Sequence, residues 1–169
     1  MKDCAIHFPS FYASARRKTL SDEIITKEIG RLSRTELREQ VFVSLFLAGF
    51  YEEPEREEAL RTYYDMQHFA QELTEELYTR YKKVQEHIGT IDALLSRYAI
   101  GWDLQRMGKA EINILRLAVF EILFDEDIPE KVAANEAVEL SKKYGTNDSY
   151  GFVNGILGKV IEKKNESGI

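Results

Sequence analysis

The stretch from Asp127 to Leu157 leaves this chain few architectures to choose from. It reads DIPEKVAANEAVELSKKYGTNDSYGFVNGIL, and its apolar residues recur at threes and fours, the spacing of helices with one buried face. Ile128-Pro129 opens a first helix, since a first-turn proline gives up an N–H that has no intrahelical partner. Val132, Ala133, Ala137, Val138 and Leu140 form its apolar face, with Glu130, Lys131, Glu139 and Lys142 outside it. Tyr144-Gly145 ends it, glycine taking the left-handed C′ position without a Cβ penalty. Asp148 or Ser149 can cap a second helix that carries Phe152, Val153, Ile156, Leu157, Val160 and Ile161. Asn135, Asn154, Gly151, Gly155 and Gly158 fit this pattern poorly, and each helical glycine costs about 1 kcal/mol against alanine. We read them as packing and tying features rather than chemistry.

The same periodicity runs upstream. Ser33 to Phe50 is a helix that opens on a capping box, Ser33 with Glu36 three residues on. Leu37, Val41, Leu45 and Ala48 give one apolar stripe, and Phe42, Phe46 and Phe50 widen it. Arg34 and Arg38 lie one turn apart and share a face; spacing alone makes that a solvated face, paired with Glu39 or other surface carboxylates. An acidic connection, Glu52 to Glu58, holds Pro54 and leads to a short helix ending near Tyr64. Met66, Phe69, Leu73, Leu77, Tyr81, Val84 and Ile88 mark a long amphipathic helix. Gly89 is expected to break or bend it, with Ile91, Leu94, Leu95 and Tyr98 on a further short helix. After Trp102, a packing anchor, Gly108 precedes a helix apolar nearly all round, which should be central. No strand-like alternation of useful length occurs. The fold class is therefore all-α, with about seven helices.

Composition narrows function. The 169 residues carry a net charge of −6, which argues against coating nucleic acid by electrostatics alone. Residues 1–32 hold six basic and four acidic groups, so the remainder carries −8. Any RNA-binding body must then use a local basic patch and a basic partner. A single cysteine, Cys4, makes neither an internal disulfide nor a cysteine metal cluster. His7, His68 and His87 stand apart, with no His-Glu-x-x-His run. Glu136 and Glu139 lack the repeated Glu-x-x-His pairs of a carboxylate metal bundle, and Ser149 has no nucleophile elbow. No enzyme, cofactor or metal is expected. The absence of a long apolar run and of a secretory h-region makes the cytoplasm the default location.

Longer motifs carry a resemblance. The run IPxKVAxNEAVELxKKYG followed by SxxFVNGIL resembles the C-terminal signature of the NusB family of bacterial transcription antitermination factors. Trp102, Arg106-Met107, Ala110-Glu111, Ile114 to Ala118 and Glu121 to Leu123 match the pattern before it. Ser33 to Phe46 is similar to the family's first helix. The likeness runs from about Leu32 to Glu162, so residues 1–32 read as an N-terminal extension outside the family fold and residues 33–165 as the RNA-binding domain. Arg16, Arg17 and Lys18, with Phe8, Phe11 and Tyr12, give that extension a small basic and aromatic character.

The resemblance implies two small helical bundles packed together, binding boxA RNA as a heterodimer with NusE, a small-subunit ribosomal protein, inside an antiterminating RNA polymerase complex. Carried over by position, the RNA face comprises Arg34, Arg38, Phe46, Asp148 and Phe152. Arginines hold phosphates and aromatic rings stack on splayed bases. The partner face comprises Tyr98, Gln105, Arg106 and Glu111, a carboxylate suiting a basic protein. Two departures weaken RNA binding by the isolated chain: Thr35 and Glu36 stand where the family has denser arginine, and Phe46 lacks an expected hydroxyl. Self-association is left open. The alternatives are a helical protein-interaction adaptor that binds no RNA and the front domain of a ribosomal RNA cytosine methyltransferase. The second is disfavoured because nothing follows Ile169.

Overall fold

The computed structural model describes residues 29–99 and 107–167. They form six helices: α1 Arg34–Ala48, α2 Glu55–Met66, α3 Gln71–Tyr98, α4 Lys109–Phe124, α5 Glu130–Tyr144 and α6 Ser149–Ser167. Among these residues the only β-type pairing is an isolated parallel bridge between Ile29 and Phe69. Helices α1, α2 and α3 make one bundle and α4, α5 and α6 the other. Helix α4 packs against α1, α3, α5 and α6, so the most apolar helix sits at the centre. Leu45, Leu60, Leu77, Leu95, Ile114, Leu115 and Leu157 are fully buried in one continuous core.

Local signals fix the helix ends. Ser33 and Glu36 make the expected capping box, each side chain taking the other's backbone N–H. Pro129 is the N-cap of α5, and the N–H of Gly145 closes its last turn on Ser141, with Gly145 at a φ of −90° and not in the left-handed conformation expected of it. The last carbonyl of α1, that of Ala48, is met by Arg56, whose Nε donates to it and to the Tyr51 carbonyl just beyond the helix, both at 3.2 Å. Cations are what a helix C-terminus attracts.

The described helices number six rather than seven because α3 runs through Gly89 without a break. No neighbour lies within 4 Å of where a Gly89 Cβ would stand, so that glycine only costs propensity. Twenty-eight residues of α3 span about 42 Å, long enough to serve both bundles. Met66 belongs to the end of α2, 52% exposed, and not to the α3 stripe. Val132 is also 43% exposed, outside the apolar face expected of α5.

Ile29 is tied to the fold. Its N–H donates to the His68 carbonyl at 2.7 Å, and the Ile29 carbonyl accepts the Ala70 N–H at 2.9 Å. His68 takes a left-handed φ of 56° there. The residues singled out before Ile29, and Trp102, lie outside the described residues.

Candidate nucleic-acid interface

Helix α1 presents three faces, each with a different task. Thr35, Glu39 and Phe42 run along α5. Thr35 Oγ1 donates to Glu136 at 3.3 Å, Lys143 Nζ and the Tyr144 hydroxyl both reach Glu39 Oε1, and the Phe42 and Tyr144 rings lie 4.9 Å apart. From Phe42 an aromatic ladder climbs the helix, with Phe46 at 6.1 Å and Phe50 a further 5.1 Å on. Phe46 is half-buried and Phe50 is 44% exposed. Lys109 closes the ladder: its ammonium stands 4.1 Å from the Phe50 ring centroid and donates to the Gly49 carbonyl at 2.6 Å.

Arg34 and Arg38 occupy the adjoining face, and here the structure corrects the sequence. Arg34 is exposed, but Arg38 is only 9% exposed. Its Nε lies 2.8 and 2.9 Å from the two oxygens of Glu121, and its Nη1 is 3.3 Å from Glu136. An arginine committed to two carboxylates inside the protein has little to offer a phosphate. Glu121 was the legible signal: a charge in the middle of an apolar helix needs a buried partner. Burial pushes the Glu121 carboxyl up to about 6, against the pull of Arg38 and with Asp125 and Glu136 adding to the rise.

A groove of about 1430 Å³ opens beside this pair, between α1, α3 and the α4–α5 connection. Arg34, Arg80 and Lys83 stand at it, but they are outnumbered by carboxylates, Glu72, Asp125 and Asp127 among them. So acidic a border repels RNA backbone, which leaves the aromatic face of α1 as the better platform.

The α5–α6 turn is built around Ser149, 4% exposed. Its hydroxyl donates to Glu111 Oε1 at 2.5 Å and accepts the Thr146 N–H at 2.7 Å. Asp148, immediately before it, is exposed, and its carbonyl accepts the Phe152 N–H at 3.3 Å. Phe152 is half-buried against the core. On the expected partner side, Tyr98 is half-buried at the end of α3, its carbonyl accepting Lys159 Nζ at 3.4 Å. Glu111 is half-buried in the first turn of α4 and engaged with Ser149, not a free carboxylate. Gln105 and Arg106 lie outside the described residues. The sequence reading missed Lys109, whose cue was a cation directly after the helix-opening Gly108.

Among the described residues, no group of three or more His, Cys, Asp or Glu side chains could hold a metal ion. No described helix is long and apolar enough to cross a membrane.

Two helical bundles sharing a central helix, with an aromatic and cationic patch at their seam, define an all-helical binding protein. A model of the NusB family matches residues 35–162. The chain belongs to the NusB family. It is 48% identical over 132 residues to the transcription antitermination protein NusB of Lachnoclostridium phytofermentans, covering 78% of this chain and 100% of that one. With the protein of the same name from Agathobacter rectalis it is 40% identical over 129 residues, 76% of this chain and 98% of the other. NusB of T. maritima superposes with a TM-score of 0.70 at 34% identity, covering 82% of this chain and 99% of that one. A structure of the antitermination factors NusB and NusE in complex with dsRNA shares the fold, with a TM-score of 0.63 at 24% identity over 77% of this chain and 96% of the other.

Proposed function

We propose that this chain is a transcription antitermination factor that binds boxA RNA jointly with NusE and so joins an RNA polymerase made resistant to terminators, notably on ribosomal RNA operons. The observation that carries the RNA half of the reading is the half-buried Phe46 beside the exposed Phe50, anchored from below by the buried Phe42, with the Lys109 ammonium at the Phe50 ring. Stacked bases need aromatic faces, and the phosphates beside them need cations. Arg34, Phe46, Asp148 and Phe152 make up the rest of the RNA face. Arg38 holds α1 in place from beneath. Tyr98, Gln105, Arg106 and Glu111 remain the partner face, where a basic ribosomal protein offsets the charge of an acidic body.

The protein acts by assembly rather than catalysis, in the cytoplasm, and without a cofactor. Residues 33–165 are its RNA-binding domain. The burial of Arg38 and the acidic groove beside Arg34 favour an adaptor that binds no RNA, because both take positive charge from the proposed face. Transcription through a terminator downstream of boxA, reconstituted with NusE, tests the reading. Added protein should raise read-through on the boxA template and not on one with the element scrambled. Equal termination with and without it on both templates overturns the proposal.

A further inference from the structure

The proposed RNA face and the proposed partner face meet at one contact, Ser149 to Glu111. A hydroxyl has one proton to give and two lone pairs to fill. The Ser149 hydroxyl uses all three: it donates to Glu111 Oε1 at 2.5 Å, accepts the Thr146 N–H at 2.7 Å and lies 3.0 Å from the Thr146 hydroxyl. Glu111 Oε1 also lies 3.4 Å from the Thr146 N–H. One carboxylate on α4 thus fixes the backbone of the turn that ends in Asp148.

Two glycines make room for this clamp. A Cβ on Gly108 would stand 2.1 Å from Glu111 Oε2, and one on Gly145 would stand 2.5 Å from the Ser149 Cβ and 2.6 Å from both the Ser149 Oγ and the Ser141 carbonyl oxygen. Neither position has a positive φ. Gly145 is kept small by Ser149 and by the end of α5 together, and Gly108 leaves room for the Glu111 carboxylate in its present rotamer.

We propose that Ser149 is a positioning residue through which a cationic protein partner at Glu111 sets the geometry of the RNA-facing turn. The inference rests on the boxA and NusE reading given above. A cation shared through Oε2 leaves Oε1 on Ser149 and immobilises the carboxylate. The turn is then ordered before RNA arrives, so RNA binding carries less of that ordering cost. Linkage makes the effect reciprocal: RNA must tighten the partner by the same factor by which the partner tightens RNA.

The test measures boxA RNA affinity without NusE and with NusE at saturation, and NusE affinity without and with RNA. In the unaltered protein the two enhancement factors should agree. Ser149→Ala should reduce both by about fivefold or more, the scale of a typical coupling. A variant that merely loosens the fold lowers affinities without lowering both factors together. Ser149→Thr keeps a hydroxyl for Glu111 and the Thr146 N–H, and should restore both factors to within about twofold of the unaltered protein, which separates loss of the hydrogen bond from loss of fold. Full enhancement in Ser149→Ala, or equal loss in Ser149→Thr and Ser149→Ala, overturns the relay and leaves the RNA reading intact. Absence of boxA-selective binding by the unaltered protein with NusE overturns that reading, and the relay with it.

Discussion

The Arg38 guanidinium and the Glu121 carboxylate meet inside the protein, Nε lying 2.8 and 2.9 Å from the two carboxylate oxygens. They are 83 residues apart and join the first helix of one bundle to the central helix of the other. Glu136 of α5 completes the cluster at 3.3 Å from Nη1. An ion pair placed there does little for RNA and much for the seam between the bundles.

Arg38→Ala should therefore destabilise the fold, by about 3–5 kcal/mol, because it strands a buried carboxylate. Denaturant unfolding followed by circular dichroism measures this. A midpoint unchanged from the parent protein would show that Arg38 is not the seam's counter-charge.

The pH dependence follows from Glu121, whose carboxyl sits at about 6 in the folded chain against an ordinary 4.5. Between those values the folded state holds a proton that the unfolded state has lost, so stability from this group falls as pH rises. The window is about pH 4.5 to 6, the loss about 2 kcal/mol, and little changes above it. Glu121→Gln removes the titration. The stability difference between parent and variant should thus change across that window and level off beyond it; a constant difference contradicts the assignment.

Gly151, Gly155 and Gly158 should each accept alanine with a gain of up to about 1 kcal/mol. All three are exposed, and nothing lies within 4 Å of an added Cβ. This overturns the view of them as close-packing residues, and the exposure of Asn135 and Asn154 removes those from the core as well. Thermal melting of the three single variants decides it; a fall in Tm would mean that α6 is packed more tightly there than the structure has it.

Arg34→Ala should leave stability within about 0.5 kcal/mol, as expected for an exposed side chain. It should also weaken RNA binding and lower the slope of log K against log salt by about 0.7, the value of one phosphate contact on a single strand. RNA titrations at several salt concentrations supply the slope. An unchanged slope would remove Arg34 from the interface.

The helices and their order were legible because burial imposes a period that any amphipathic segment must show, and Ser33, Pro129 and Gly145 marked the ends by local chemistry alone. What the sequence withheld was long-range. Arg34 and Arg38 share a spacing, yet one is exposed and the other buried, because Glu121 comes from a helix 83 residues away. Gly89 failed as a breaker since the flanking stripe buries Val84 and Ile91 on a single continuous face. Glu111 read as a free carboxylate because its partner, Ser149, reaches it only when α5 folds back. The aromatic spacing along α1 was thus legible, and the charges beside it were misleading.

The central claim is that an acidic helical body selects boxA RNA with help from a basic partner. Titration of boxA RNA and a scrambled RNA of equal length, at about 0.15 M salt, without NusE and with NusE, addresses it directly. NusE should tighten boxA binding and widen the gap between the two RNAs. Equal affinity for both RNAs under both conditions would contradict it.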